Sequence, residues 1–197
     1  MANKCYNTFS FFGNAKAKKQ VESWNSEMKA LVSGKTTPQL ESVIFEVFFP
    51  NEFVNNPVAF LGTKWAYPDF GASIPLASGE LGFVSAWEAM DGLQDHITGI
   101  LSRLDKNVVV LLMSKTDSLD EAARYSAMGL DGEIISQVAY LQFADDDDAK
   151  EDPQDTLFYE HMRDSCDDLI DAVPGIKTRL KAHLKFLDNA FDESLNK

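Results

Sequence analysis

Apolar residues recur along the chain with two periods, and each change of period predicts an element boundary. CYNTFSFF (5–12) reads as a strand closed by Gly13 and Asn14, a turn and helix-cap pair. Ala17, Val21, Trp24, Met28 and Leu31 then recur at helical spacing and predict an amphipathic helix over 15–32, ended by SGKTTP (33–38). SVIFEVFF (42–49), rich in β-branched and aromatic residues and stopped by Pro50, predicts a buried strand or extended segment, and NEFVNNP a loop. Two strand-like runs follow, Phe60 to Ile74 and Leu81 to Ala86, each near a tryptophan. Ser85 lies three residues before Glu88, the spacing of a capping box, and Met90, Leu93, Ile97, Ile100 and Leu104 trace one face of the helix expected after it.

NVVVLLM (107–113) predicts a central strand, and Arg124 to Gly129 with Glu133 to Phe143 a hairpin turned by Leu130, Asp131 and Gly132. The order β, α, β, β, α, β plus a hairpin is the split βαβ arrangement, an α+β class in which an antiparallel sheet carries two helices over one shared apolar interior. ADDDDAKEDPQD (144–155) reads as an acidic, solvated linker, with Asp152 and Pro153 suited to a helix cap and first turn. Beyond it Phe158, Met162, Cys166, Leu169 and Val173, then Ile176, Leu180, Leu184, Leu187 and Phe191, line an αα-hairpin across Pro174 and Gly175. The expected organisation is an α+β domain over 1–143, a linker over 144–155 and a helical hairpin over 156–195.

Charge narrows the function classes. Eighteen basic against 31 acidic residues leave a net charge of −13, which disfavours direct nucleic-acid binding. The bases cluster early, at Lys16, Lys18 and Lys19, as on a solvated helix face, whereas residues 144–197 hold 15 acidic and seven basic groups. Two distant cysteines without a secretory signal point to a reduced, cytoplasmic setting, and no apolar run nears the roughly 20 residues of a membrane span.

Candidate chemistry is sparse. Trp65, Tyr67 and Trp87 have the makings of a stacking platform, but aromatics at strand ends ordinarily fill a core, and core packing is the expectation here. Asp145 to Asp148 with Glu151 and Asp152 lack the alternation and glycine of a calcium loop. His96, His161 and His183 have no zinc-ligand spacing, Cys5 and Cys166 read as buried inert thiols, and no glycine-rich phosphate loop occurs. No catalytic residue, metal or cofactor is expected.

ANKCYNTFSFFG (2–13), LGTKWAYPDF (61–70), GFVSAW (82–87) and EAARYSAMGLDGEI (121–134) together resemble the YubB ferredoxin-like family, small proteins of phages, plasmids and prophage islands. The resemblance spans about residues 2–143 and leaves the C-terminal hairpin outside. Lys4 stands where members carry tryptophan, and Glu88, Ala89 and Met90 stand where they often carry prolines. The resemblance implies a ferredoxin-like fold and a mobile-element setting, with no chemistry attached.

Two functions follow as expectations. The first is an acidic protein-interaction module, an inhibitor of a host nucleic-acid-binding or defence enzyme. It would meet a basic surface through Asp145, Asp146, Asp147, Asp148, Glu151, Asp152, Asp164, Asp167, Asp168 and Asp171. The second is a small enzyme or small-ligand binder with a pocket between sheet and helical hairpin. The long apolar strand 133–143 would also favour a homodimer unless the hairpin covers it.

Overall fold

The computed structural model describes residues 4–51, 56–70, 80–117, 121–141 and 154–195. β1 (Lys4–Phe12) turns at Asn14, whose side-chain oxygen accepts from the amides of Lys16 and Ala17 and starts α1 (Ala15–Val32). Ala17, Val21, Trp24 and Met28 are its buried stripe, as their spacing predicts.

The stretch 42–49 is helical, a correction to the expected strand. It forms most of α2 (Thr37–Phe48), begun by Thr36, whose backbone amide donates to Gln39 Oε1 at 2.9 Å. Val43, Ile44, Val47 and Phe48 fall on one side of the helix and are buried, while Ser42 and Glu46 are exposed. The cap sits inside the SGKTTP run, which ends one helix and begins the next.

The expected strand from Phe60 is corrected in the same way. Asn56 accepts from the Val58 amide, Pro57 sets the first turn, and α3 (Pro57–Leu61) stops at Gly62, whose φ of 82° suits only glycine. Of that run only β2 (Ala66–Pro68) is strand, and residues 71–74 lie outside the described ones. β3 (Leu81–Ala86) follows, then α4 (Asp91–Ser102). Ser85 is no helix cap, because its pairing with Cys5 keeps it in the strand.

β4 (Val109–Thr116), β5 (Glu121–Met128) and β6 (Ile134–Leu141) complete one six-stranded antiparallel sheet of order β2-β3-β1-β4-β5-β6. β1 therefore runs between β3 and β4, which α4 joins to each other, while α1, α2 and α3 lie between β1 and β2 in the chain. The protein is an α+β fold with six helices among the described residues. α5 (Gln154–Ala172) and α6 (Lys177–Ser194) form the C-terminal hairpin.

Two cores, one on each sheet face, replace the single interior expected. Phe9, Phe83, Val110 and Leu112 face Val21, Trp24, Ile44, Phe48, Leu93 and Ile97 of the first three long helices. Val109, Leu111, Tyr125 and Ala139 face Phe158, Met162, Cys166, Leu169, Leu180 and Leu184 of the hairpin. The hairpin is needed because β4 is apolar on both faces and β5 sets Ala123, Tyr125 and Ala127 beside Val109 and Leu111, a surface that water would otherwise meet.

Polar joints orient these layers. Gln94 of α4 donates to the carbonyls of Val110 and Arg124 on adjacent strands at 2.9 and 2.6 Å. Buried Asp105 accepts from the Asn14 amide at 2.6 Å and meets Arg179 of α6 at 3.2 Å, tying the hairpin to the turn before α1. Against the second core, His183 Nε2 lies 3.1 Å from Tyr125 Oη and its ring rests 5.0 Å from that of Phe12. Burial pushes its imidazole down from 6.5 to about 4 and pushes the Cys166 thiol up to about 12.

Two outcomes follow. A Cβ on Gly92 would stand 2.7 Å from the Phe60 carbonyl oxygen, so Gly92→Ala should cost about 1 to 3 kcal/mol in urea unfolding. The unfolded chain binds a proton at His183 near pH 6.5 and the folded chain only near 4, so stability is full above pH 6.5 and falls as pH drops towards 4. The loss across that window should be about 2 to 3 kcal/mol and should shrink in His183→Gln, as measured by denaturation from pH 7.5 to 3.5.

Candidate functional site

The connection from β3 to α4 holds the one non-glycine residue with positive φ among the described residues, Trp87 at 68°. Glu88 donates its amide to the Ala86 carbonyl at 2.7 Å, closing a three-residue turn around the indole-bearing residue. A bulky residue in the left-handed region costs on the order of 1 to 3 kcal/mol and persists only when its surroundings enforce it. Both carbonyls flanking Trp87 are so enforced. Buried Thr63 donates its hydroxyl to Ala86 O at 2.6 Å, and buried Ser85 donates its hydroxyl to Glu88 O at 2.7 Å. The Ala86 amide also donates to Trp65 O at 3.1 Å.

The result is an indole presented to solvent, 52% exposed. On one side of it opens a cleft of about 320 Å³ that reaches Tyr140 and Val138 of β6 across the start of α4. A second hollow bordered by Trp87 is lined by Val58, Thr63 and Lys64. Trp87 is thus common to both.

Cys5 and Ser114 of the lining are backed by a neutral hydrogen-bonded network centred on Asn7. Asn7 Oδ1 accepts from Ser114 Oγ at 2.9 Å and from the Met90 amide at 3.3 Å, and Asn7 Nδ2 donates to Ser85 Oγ at 2.8 Å. The Cys5 thiol points at Asn7 Oδ1 from 3.8 Å, and burial pushes it up, so it is a protonated thiol at neutral pH and no nucleophile.

The rim is acidic. Glu88, Asp91 and Glu121 line it with Arg124 as the one base in the lining. Arg124 is fully engaged: Nη1 donates to Asp91 O and Gln94 Oε1, and Nη2 to Asp95 Oδ1 and Ser136 Oγ. Glu121 pairs with Lys115. Burial pushes the Asp91 carboxyl up, and Arg124 only partly offsets it, the two charges being 3.9 Å apart.

The residues singled out from the sequence fall in three places. Trp65 and Tyr67 stack on each other along the β2 edge, centroids 5.9 Å apart and nearly parallel, each half-buried. Trp87 is a correction: it is exposed at the cleft, because the left-handed turn swings it away from the core that strand alternation would give it. Asp164, Asp167, Asp168 and Asp171 form an exposed stripe on α5, where Arg163 meets Asp167 at 3.3 Å and also pairs with Asp188 of α6. Asp145, Asp146, Asp147, Asp148, Glu151 and Asp152 lie outside the described residues.

The acidic excess belongs to α5, with six acidic residues and one arginine, while α6 carries four bases against three acids. Tyr125 and the α5 and α6 aliphatics fill most of the interface between sheet and hairpin, where the pocket was expected, and a cavity of about 270 Å³ remains at its edge between Thr8, Met113, Lys115 and Ala122 of the sheet and Phe158 of α5. No cluster of His, Cys, Asp or Glu suited to a metal occurs among the described residues.

Sequence reasoning missed Glu88, Asp91, Glu121 and Tyr140 as one site. The one usable signal was the gap between the end of the strand pattern at Ala86 and the helical stripe from Met90, too short for a loop and closed by Trp87. No family model, curated protein or solved structure matches the chain.

Strain at Trp87 gives a direct test. Trp87→Gly should hold or raise stability by up to about 1 kcal/mol in urea unfolding, since glycine tolerates the turn. Ser85→Ala and Thr63→Ala should each lower it by about 1 kcal/mol through the hydrogen bond lost to the Glu88 and the Ala86 carbonyl respectively.

Proposed function

We propose that this chain is a non-catalytic binding module that engages a protein partner with a basic surface. The observation that carries the reading is the exposed indole of Trp87, held in a strained turn by two buried hydroxyls beside an acid-rimmed cleft. A fold that maintains strain around an exposed aromatic gains nothing in stability from it, and aromatic anchors are what protein interfaces use. The α5 stripe of Asp164, Asp167, Asp168 and Asp171 supports the same partner chemistry by long-range attraction.

Mobile-element origin and the bacterial cytoplasm are part of this reading. They rest on the likeness to the YubB ferredoxin-like family. The strand order β2-β3-β1-β4, with helices joining β1 to β2 and β3 to β4, supports a ferredoxin-like core to which β5, β6 and the hairpin are added. No helix among the described residues is long and apolar enough to cross a membrane. An enzyme of a host that binds nucleic acid, or one that serves in defence, is the class of partner whose basic groove suits such a surface.

A small-ligand reading is the alternative, and the cleft's size favours it over catalysis. A homodimer through β6 is a third arrangement, supported by the exposed Val138 and Tyr140 on that edge strand.

Affinity capture from bacterial lysate tests the main reading. The full chain should retain a partner at about 50 mM salt and release most of it by about 300 mM, as expected for charge-steered contacts. Trp87→Ala should cut retention about tenfold, and combined Asp164→Asn, Asp168→Asn and Asp171→Asn should slow association several-fold. Retention indifferent to salt and to Trp87 would refute the proposal.

A further inference from the structure

The cleft beside Trp87 is unbalanced in charge in a way that specifies its occupant. Its lining offers three carboxylates and one guanidinium, and that guanidinium already makes four hydrogen bonds to the protein. Glu121 is answered by Lys115, and Asp91, 3.9 Å from the Arg124 guanidinium, shares it with Asp95, so among the described residues Glu88 at the mouth beside Trp87 is the lining carboxylate with no ion pair and Asp91 is only partly answered. The Asp91 side chain is exposed, so an incoming cation can reach its carboxyl, which desolvation pushes up and a second positive charge would pull back down.

We infer that this cleft receives a single arginine side chain of the partner protein, its guanidinium lying against the Trp87 indole and donating to Glu88 and Asp91. The inference rests on the binding-module reading above and names the group recognised. A guanidinium is planar, weakly hydrated and forked, so it stacks on an aromatic face while its edge N–H groups reach carboxylates. The ammonium of lysine is a compact, strongly hydrated charge that gives up more water for one such contact. An anion would meet Glu88 and Asp91 head-on, and a neutral amide would leave them unanswered.

The surrounding geometry suits a rigid receptor. The turn bearing Trp87 is fixed by Thr63 and Ser85, and the Cys5 and Ser114 part of the lining is backed by Asn7. Little ordering entropy remains to be lost when a side chain enters. Tyr140, 66% exposed on the facing strand, closes the far wall.

Titration of the 15N-labelled full chain with N-acetyl-arginine amide tests this. The protein has three tryptophans, so the indole N–H region is simple, and the cross-peak missing from Trp87→Ala identifies Trp87. The Trp87 signal should shift saturably with a dissociation constant of about 1 to 10 mM, the range for one isolated side chain. N-acetyl-lysine amide should bind at least about threefold more weakly, and N-acetyl-citrulline amide, neutral but of the same shape, should give no saturable shift. Glu88→Gln, at an exposed site that leaves folding intact, should weaken arginine at least about threefold.

Citrulline equal to arginine, or no saturable shift with either, would overturn the inference. In that event a captured partner whose retention still depends on Trp87 leaves the binding-module reading standing, whereas loss of that dependence as well removes both.

Discussion

The side-chain amide of Asn7 is the joint on which the middle of this molecule turns. It sits buried on β1, the strand between β3 and β4, and reaches Ser85 on one neighbour and Ser114 on the other. Its oxygen also holds the Met90 amide, where the chain leaves β3 and enters α4. A buried amide with satisfied donors and acceptors specifies one arrangement, because any slip would leave polar atoms without partners in a dry interior. One residue thus reinforces the register that the backbone ladders set between three strands and holds the entry to one helix.

What lies above that joint follows from it. With Met90 pinned and β3 extended through Ala86, three residues must span the gap, and they do so only by forcing Trp87 into a left-handed turn. Gly62 and Gly92 allow the end of α3 to meet the start of α4 at backbone distance, which closes the other side. An aromatic ring is left outside, next to carboxylates that have few cations of their own. Stability and exposure are in tension here, and the surrounding hydroxyls are what keep the strained geometry in place.

The sheet's second face has a different logic. Tyr125 and the aliphatics of β4 and β5 require a cover, and the C-terminal hairpin supplies one that is apolar inward and, on α5, acidic outward. Asp105 and Arg179 then link that cover to the β1–α1 turn, so the two cores are joined by charge as well as by the sheet between them. His183 is neutral in this setting because burial removes much of the water that would stabilise the imidazolium.

The sequence by itself determined those elements whose periodicity is long and whose caps are local: α1 from Asn14, β3, β4, the β5–β6 hairpin and both C-terminal helices. It determined the α+β class and the acidic face of α5 as well, since composition and helical spacing need no tertiary partner. Only the tertiary structure decided that SVIFEVFF is helical, because eight apolar-rich residues satisfy either period until a core selects the face. It alone decided that Trp87 faces water, and that Glu88, Asp91, Glu121 and Tyr140 share one cleft. Those residues come from the β3–α4 turn, α4, β5 and β6, and residues so far apart in the chain meet only when strand order is set by hydrogen bonds that no local pattern encodes.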